Sequence, residues 1–222
     1  MLFLNRAVSF FDMTRLIIVR HAQSESNYAH FYAASVNINL TELGRKQAEE
    51  TAKYLKDTRI DIAYCSNLVR VVQTAKPIVR GRNIPFIITR DLREIDGGGF
   101  EGITYDEILE KYPYERHMWY DDIVNCYSPN GESLYDVYNR IAPTFDKIVC
   151  ENRGKTILVA THACPIRVMT NKFLGKPFSE LNSTPWAGNA SVTVVDVDDD
   201  NNYTIVKQAY DQHLVDADLV SN

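Results

Sequence analysis

Residues 16–27 read Leu16-Ile17-Ile18-Val19-Arg20-His21-Ala22-Gln23-Ser24-Glu25-Ser26-Asn27. A short apolar run rich in β-branched residues describes a buried strand. The run stops at an arginine and a histidine, followed by small and polar residues. That order sets a cation and an imidazole at the carboxyl end of a strand, where open α/β sheets carry their ligand crevices. A plain surface strand can end in the same pair, so its meaning depends on the rest of the chain.

Working outward, the 222 residues, 45% of them hydrophobic, suffice for one well-packed domain. The net charge of −5 argues against a general nucleic-acid binder, which needs a basic face. It leaves room for a small phosphorylated metabolite, because a few clustered Arg and His residues reverse the potential inside a pocket. Cys65, Cys126, Cys150 and Cys164 form no Cys-x-x-Cys pair. Reduced thiols in a cytoplasmic protein are the expectation, without a disulfide framework or a zinc site. The apolar stretch in Met1–Phe11 is too short and broken to span a membrane, and no small-residue cleavage site follows it. Residues 1–12 read as an N-terminal extension and 13–222 as a single domain.

Along the chain, Thr41 is placed to cap a helix whose apolar spacing runs through Ala48, Ala52 and Leu55. Residues 28–39 before it read as a loop. Ile60–Cys65 reads as a second strand, Ser66-Asn67 as the cap of a second helix, and Pro85–Thr89 as a third strand. Strands and helices alternating at this spacing predict a mostly parallel sheet with crossover helices, a three-layer α/β/α architecture. Residues 96–130 break the rhythm with Gly97-Gly98-Gly99 and an aromatic, acidic stretch holding one helix near Tyr105–Glu110. This segment reads as a lid over the carboxyl end of the sheet. A helix follows Gly131-Glu132-Ser133, then a strand at Thr156–Ala160 ending in Thr161-His162, and a helix over Pro165–Phe173. Ser191–Val197 and Tyr203–Gln208 form a terminal hairpin. That hairpin and the aromatic lid are candidate surfaces for a homodimer.

Four segments carry the chemistry. Arg20-His21-Ala22 with Ser24–Asn27 resembles the signature of the histidine phosphatase superfamily, which includes the cofactor-dependent phosphoglycerate mutases. Ser66-Asn67-Leu68-Val69-Arg70-Val71-Val72-Gln73-Thr74-Ala75 resembles that family's Ser-x-Leu-x-Arg-x-x-Gln-Thr-Ala pattern over its whole length. Leu92-Arg93-Glu94 through Gly102 resembles its acid/base segment, and Thr161-His162-Ala163-Cys164-Pro165-Ile166-Arg167 its second histidine motif. The four stand in family order and span Leu16 to Arg167. Ala22 and Ala163 occupy places where the family often has glycine, putting a methyl on backbone that approaches phosphate. Cys164 is either a packing residue or an oxidation-sensitive thiol.

The resemblance implies a phosphoglycerate mutase-like fold and a division of labour. His21 attacks phosphorus and becomes phosphorylated. Arg20, Arg70 and His162 hold the phosphate oxygens, and Asn27 adds a hydrogen bond. Glu94 protonates the leaving alcohol and then activates water, with Asp96 and Glu101 as alternatives in the same loop. The arginines supply the positive charge, so no metal or other cofactor is implied. The Gly-rich stretch 97–99 is expected to let backbone lie close to ligand.

Two features favour a phosphatase over a mutase. Gly97 stands where the mutase pattern has Tyr, and Met118-Trp119-Tyr120-Asp121-Asp122 lies where paired arginines would hold a second anion. Pro129-Asn130-Gly131-Glu132-Ser133 resembles a segment of the fructose-2,6-bisphosphatase branch, with Asn130 replacing its sugar-phosphate-binding arginine. Tyr112, Tyr114, Trp119 and Tyr120 are candidates to stack on a sugar or nucleoside, or to pack the lid. The alternatives are a phosphoglycerate mutase and a catalytically silent phospho-ligand or partner-binding protein on the same fold.

Overall fold

A computed structural model describes residues 13–220; the 1–12 extension lies outside them. The opening strand β1 spans Thr14–Arg20. Its alternate side chains enter two different cores. Leu16 and Ile18 join the larger cluster with Phe145, Ile166 and Met169, while Ile17 and Val19 join a second with Leu55, Ile60 and Ile78. Burial on both faces is why the run is uniformly apolar rather than alternating.

The other strands are β2 (Ile62–Ser66), β3 (Phe86–Thr89), β4 (Thr156–Thr161), β5 (Val192–Val197) and β6 (Tyr203–Tyr210), in the sheet order β3-β2-β4-β1-β5-β6. Neighbours from β3 to β1 pair in parallel, and β5 runs against both β1 and β6. Helices α2 (Glu42–Tyr54) and α3 (Val69–Val79) cover one face. Helices α6 (Leu134–Glu151) and α7 (Ala163–Phe173) cover the other. This is the expected three-layer arrangement. The segment expected to form a lid holds two helices, α4 (Tyr105–Lys111) and α5 (Pro113–Asp121), rather than one. Pro113 opens α5 in its first turn, where its missing N–H has no intrahelical partner to lose. None of the described helices is long and apolar enough to cross a membrane.

Several local details differ from expectation. A five-residue helix α1 (Glu25–Ala29) precedes the loop, too short to show a period. It is held by Asn27 Oδ1, which accepts from Ser24 N at 3.0 Å and Ser24 Oγ at 2.9 Å. Helix α3 is capped at Leu68 rather than Ser66-Asn67; Ser66 Oγ lies 2.9 Å from His162 Nε2. Asn37, from a distant loop, accepts the Val69 N–H instead, at 3.1 Å. Helix α7 starts directly after His162, which is its N-cap. The terminal hairpin is not an exposed unit: β5 is largely buried beside β1, leaving β6 as the open edge.

The glycine stretch 97–99 also differs from expectation. A Cβ on Gly98 would meet Pro129 O at 2.2 Å, and one on Gly131 would meet Asp96 O at 2.4 Å. These glycines let two backbone loops touch each other, not a ligand. Gly98 also has φ of +48°, a left-handed conformation that favours glycine. The joined loops fix the segment that carries Glu94 against the start of α6.

Candidate active site

Strands β1 and β4 end level, with Val19 opposite Ala160 and Arg20 opposite Thr161. His21 N continues the ladder by donating to Thr161 O at 3.0 Å. The two histidines therefore leave the sheet side by side, with ring centroids 5.3 Å apart. His21 Nδ1 lies 2.8 Å from Ala22 O. A carbonyl only accepts, so Nδ1 carries the proton and Nε2 keeps its lone pair. Burial, reinforced by the charges of Arg70 and Arg20, holds the His21 pKa well below its ordinary value. The imidazole is neutral at physiological pH, as a nucleophile requires.

Around it lies a cavity of about 310 Å³ that Arg20, His21, Asn27, Arg70 and Glu94 all line. Arg20 Nη1 donates to Ala187 O at 2.6 Å, while its buried Nε has no partner. Arg70 is held by Ala34 O at 2.7 Å and Val36 O at 3.0 Å. Burial pushes its pKa down to about 10, so it remains a cation at neutral pH. The Oδ1 of Asn27 is occupied by Ser24 and by Asn189 Nδ2 at 3.2 Å, which leaves its amide N–H groups for a ligand.

Glu94 receives the first amides of α7: Ala163 N donates at 3.1 Å and Cys164 N at 3.1 Å. It is the carboxylate of its loop that reaches the cavity. Asp96 instead accepts from Gly98 N at 3.0 Å, and Glu101 is tied to Ser35 N at 2.7 Å. His162 comes to the site but stands behind it, fully buried. Its Nδ1 faces Arg70 Nη2 at 3.3 Å, and its Nε2 faces Ser66 Oγ. In this arrangement it props Arg70 and does not itself line the cavity. Burial and the charge of Arg70 lower its pKa well below the usual value.

The methyl of Ala22 packs with Leu40, Ala48, Ala190 and Leu214, away from the crevice. Ala163 does line it. Cys164 also lines the cavity, where burial and the neighbouring Glu94 push its thiol well up. A thiol held protonated is a packing group rather than a reactive one.

Several contributors lie too far apart in sequence to be paired by reading. Asn189 Nδ2 donates to both His21 O, at 3.1 Å, and Asn27 Oδ1. The Arg140 Nη2 group donates to Glu94 O at 2.7 Å and to Glu132 Oε2 at 2.9 Å, and Nη1 reaches Arg93 O at 3.1 Å. Glu132 Oε2 also accepts from Asp96 N at 2.8 Å. The Glu132–Arg140 pair thus grips the backbone on both sides of Glu94. The Gly-Glu-Ser string was the one available signal, and it does not name its partner.

A family model described as histidine phosphatase superfamily (branch 1) matches residues 16–209. The chain belongs to this superfamily. It is 33% identical over 202 residues to phosphoserine phosphatase 1 of Hydrogenobacter thermophilus, covering 91% of this chain and 95% of that one. It is 31% identical over 175 residues to a 2,3-bisphosphoglycerate-dependent phosphoglycerate mutase of Bartonella henselae, covering 76% of this chain and 85% of the relative. Among solved structures, Bacillus stearothermophilus YhfR superposes with a TM-score of 0.86 at 28% identity, covering 90% of this chain and 99% of the other. As a member of the superfamily, the chain gathers His21, Arg20, Arg70 and Glu94 from the family motifs around one cavity.

Proposed function

We propose that this histidine phosphatase superfamily member hydrolyses a small phosphate monoester through a phosphorylated His21. The observation that carries the reading is the free Nε2 of a neutral His21 in the same cavity as Arg20, Arg70 and Glu94. In the first step Nε2 bonds to phosphorus as the P–O ester bond breaks, and Glu94 gives its proton to the departing oxygen. Arg20 and Arg70 hold the non-bridging oxygens, and Asn27 donates one hydrogen bond. His162 fixes Arg70 from behind. In the second step water attacks phosphorus, Glu94 takes its proton, and the P–N bond breaks. Neutral His21 and inorganic phosphate result.

The mutase alternative has a relative in its favour but lacks a second anion site. Among the described residues lining the cavity, Arg20 and Arg70 are the only cations, His21 being neutral. A Cβ at Gly97, the mutase tyrosine position, would meet the Tyr32 ring at 2.7 Å. These features support release of the dephosphorylated product rather than its retention.

The test is hydrolysis of p-nitrophenyl phosphate in EDTA by the wild type and by His21→Ala. Turnover that survives EDTA and vanishes in the variant supports the reading. Activity retained by the variant overturns it. Formation of 2-phosphoglycerate from 3-phosphoglycerate and 2,3-bisphosphoglycerate, without hydrolysis, indicates a mutase. Phosphate binding with neither reaction indicates a silent binder.

A further inference from the structure

Past the phosphate-binding end, the cavity wall consists largely of rings: Phe31, Tyr32, Tyr105, Trp119 and Trp186. Of the four lid aromatics considered from the sequence, Trp119 alone is among these lining residues. Tyr112 packs on Phe100 at a centroid distance of 5.4 Å, Tyr114 is exposed, and Tyr120 lines a neighbouring cavity. Trp186 and Tyr105 carry no local sign of a stacking role in the sequence.

Two of the wall rings are fixed from behind by guanidinium groups. Arg167 Cζ lies 4.2 Å from the Trp186 ring centroid, and Arg116 Cζ lies 5.5 Å from that of Tyr105. Neither arginine lines the catalytic cavity. Arg167 is almost fully buried; its Nη2 donates to Leu181 O at 3.2 Å, while its Nε and Nη1 have no hydrogen-bond partner and the indole face lies beside them. Such a contact holds a ring in one orientation and leaves its other face to a ligand. Arg116 opens onto the adjoining cavity under the lid. Among the described lining residues, the leaving group is therefore offered ring faces and hydroxyls, but no cation beyond those committed to phosphate. A carboxylate or second phosphate brought here loses water without gaining a charged partner.

We propose that the leaving alcohol of the natural substrate carries a flat, uncharged ring that stacks on Trp186, with Tyr105 and Trp119 completing its subsite. A nucleoside or an arylalkyl alcohol has this chemistry; serine and glycerate do not. The inference rests on the phosphatase reading above and names its substrate class.

The experiment measures kcat/KM for uridine 5′-monophosphate, 2-phenylethyl phosphate, ethyl phosphate and phosphoserine. The wild type, Trp186→Ala and Trp186→Phe are compared. The ring esters are expected to exceed ethyl phosphate and phosphoserine by roughly tenfold to a hundredfold, the range of one stacked ring. Trp186→Ala should bring the ratio of ring ester to ethyl phosphate to within about twofold, and Trp186→Phe should restore most of it. Preference for phosphoserine, or an equal loss on all esters in Trp186→Ala, overturns the proposal. If no ester is hydrolysed and no acid-labile phosphate appears on His21, the phosphatase reading fails, and this inference fails with it.

Discussion

Replacing Arg140 with Met tests whether Glu94, the proposed general acid, is aimed from outside the cavity. The side chain keeps its length but loses the fork that donates to Arg93 O, Glu94 O and Glu132. The Arg140–Glu132 pair is about one-quarter exposed, with side-chain accessibilities of 24% and 22%. Breaking it leaves a carboxylate and two carbonyls in need of partners, though water can reach them. A stability loss of about 2 kcal/mol follows, below the 3–5 kcal/mol of a fully buried pair. For a chain of this size that is a fall in Tm of roughly 4–8 °C.

The effect on catalysis is larger and selective. A displacement of Glu94 on the order of 1 Å costs ~10²-fold in proton transfer. Ethyl phosphate needs its leaving oxygen protonated, whereas p-nitrophenyl phosphate releases a stabilised anion. The assay is kcat/KM for both esters, which reports the phosphorylation of His21 before water enters. Arg140→Met should lose ~10²-fold on ethyl phosphate and less than ~10-fold on p-nitrophenyl phosphate. Arg140→Lys, which keeps the charge without the fork, should fall between. Equal losses on the two esters, or full activity in the folded variant, would refute the reasoning.

Other consequences follow from neighbouring contacts. Glu101 binds the amides of Ala34 and Ser35, and the carbonyls of Ala34 and Val36 in turn hold Arg70. Glu101→Gln should raise KM by about fivefold to tenfold with a smaller change in kcat, the ~1 kcal/mol by which a hydrogen bond to a charged acceptor exceeds one to a neutral acceptor; steady-state kinetics checks the split. A Cβ at Gly44 would lie 2.0 Å from Gln23 O, backbone that cannot retreat without moving the loop after His21. Gly44→Ala should therefore destabilise the fold by about 3 kcal/mol or more, seen as a lower urea midpoint. His21 and His162 are both lowered by burial and by nearby arginines, and His213 by burial. The unfolded chain then takes up more protons as pH drops. Stability should be fully present above about pH 6.5 and decline below it, by up to ~1.4 kcal/mol per pH unit for each histidine. Urea unfolding at pH 7.5 and 5.5 gives the comparison; equal stability at the two values refutes it.

Much of this protein was legible in short segments, because both faces of its parallel sheet are covered and its motifs are local. Leu16–Val19 could be read as a buried strand from composition alone, and the helix at Thr41 from its cap and period. His21, Arg70 and Glu94 could be named because each lies inside a contiguous motif. The glycines of 97–99 were visible, but their purpose was not: what they approach lies some 30 residues away, at Pro129–Gly131. His162 was legible as a site residue, whereas its place behind Arg70 depends on Ser66, 96 positions earlier. The Asn189 bridge and the arginine-backed Trp186 have no local signature, and the grip on Glu94 shows only in the Gly-Glu-Ser string, which does not name Arg140. A sequence records which chemical groups a strand end or helix cap presents. Only packing, which brings distant backbone within hydrogen-bond reach, decides which carboxylate meets the cavity and which groups hold Arg70 and Glu94 in place.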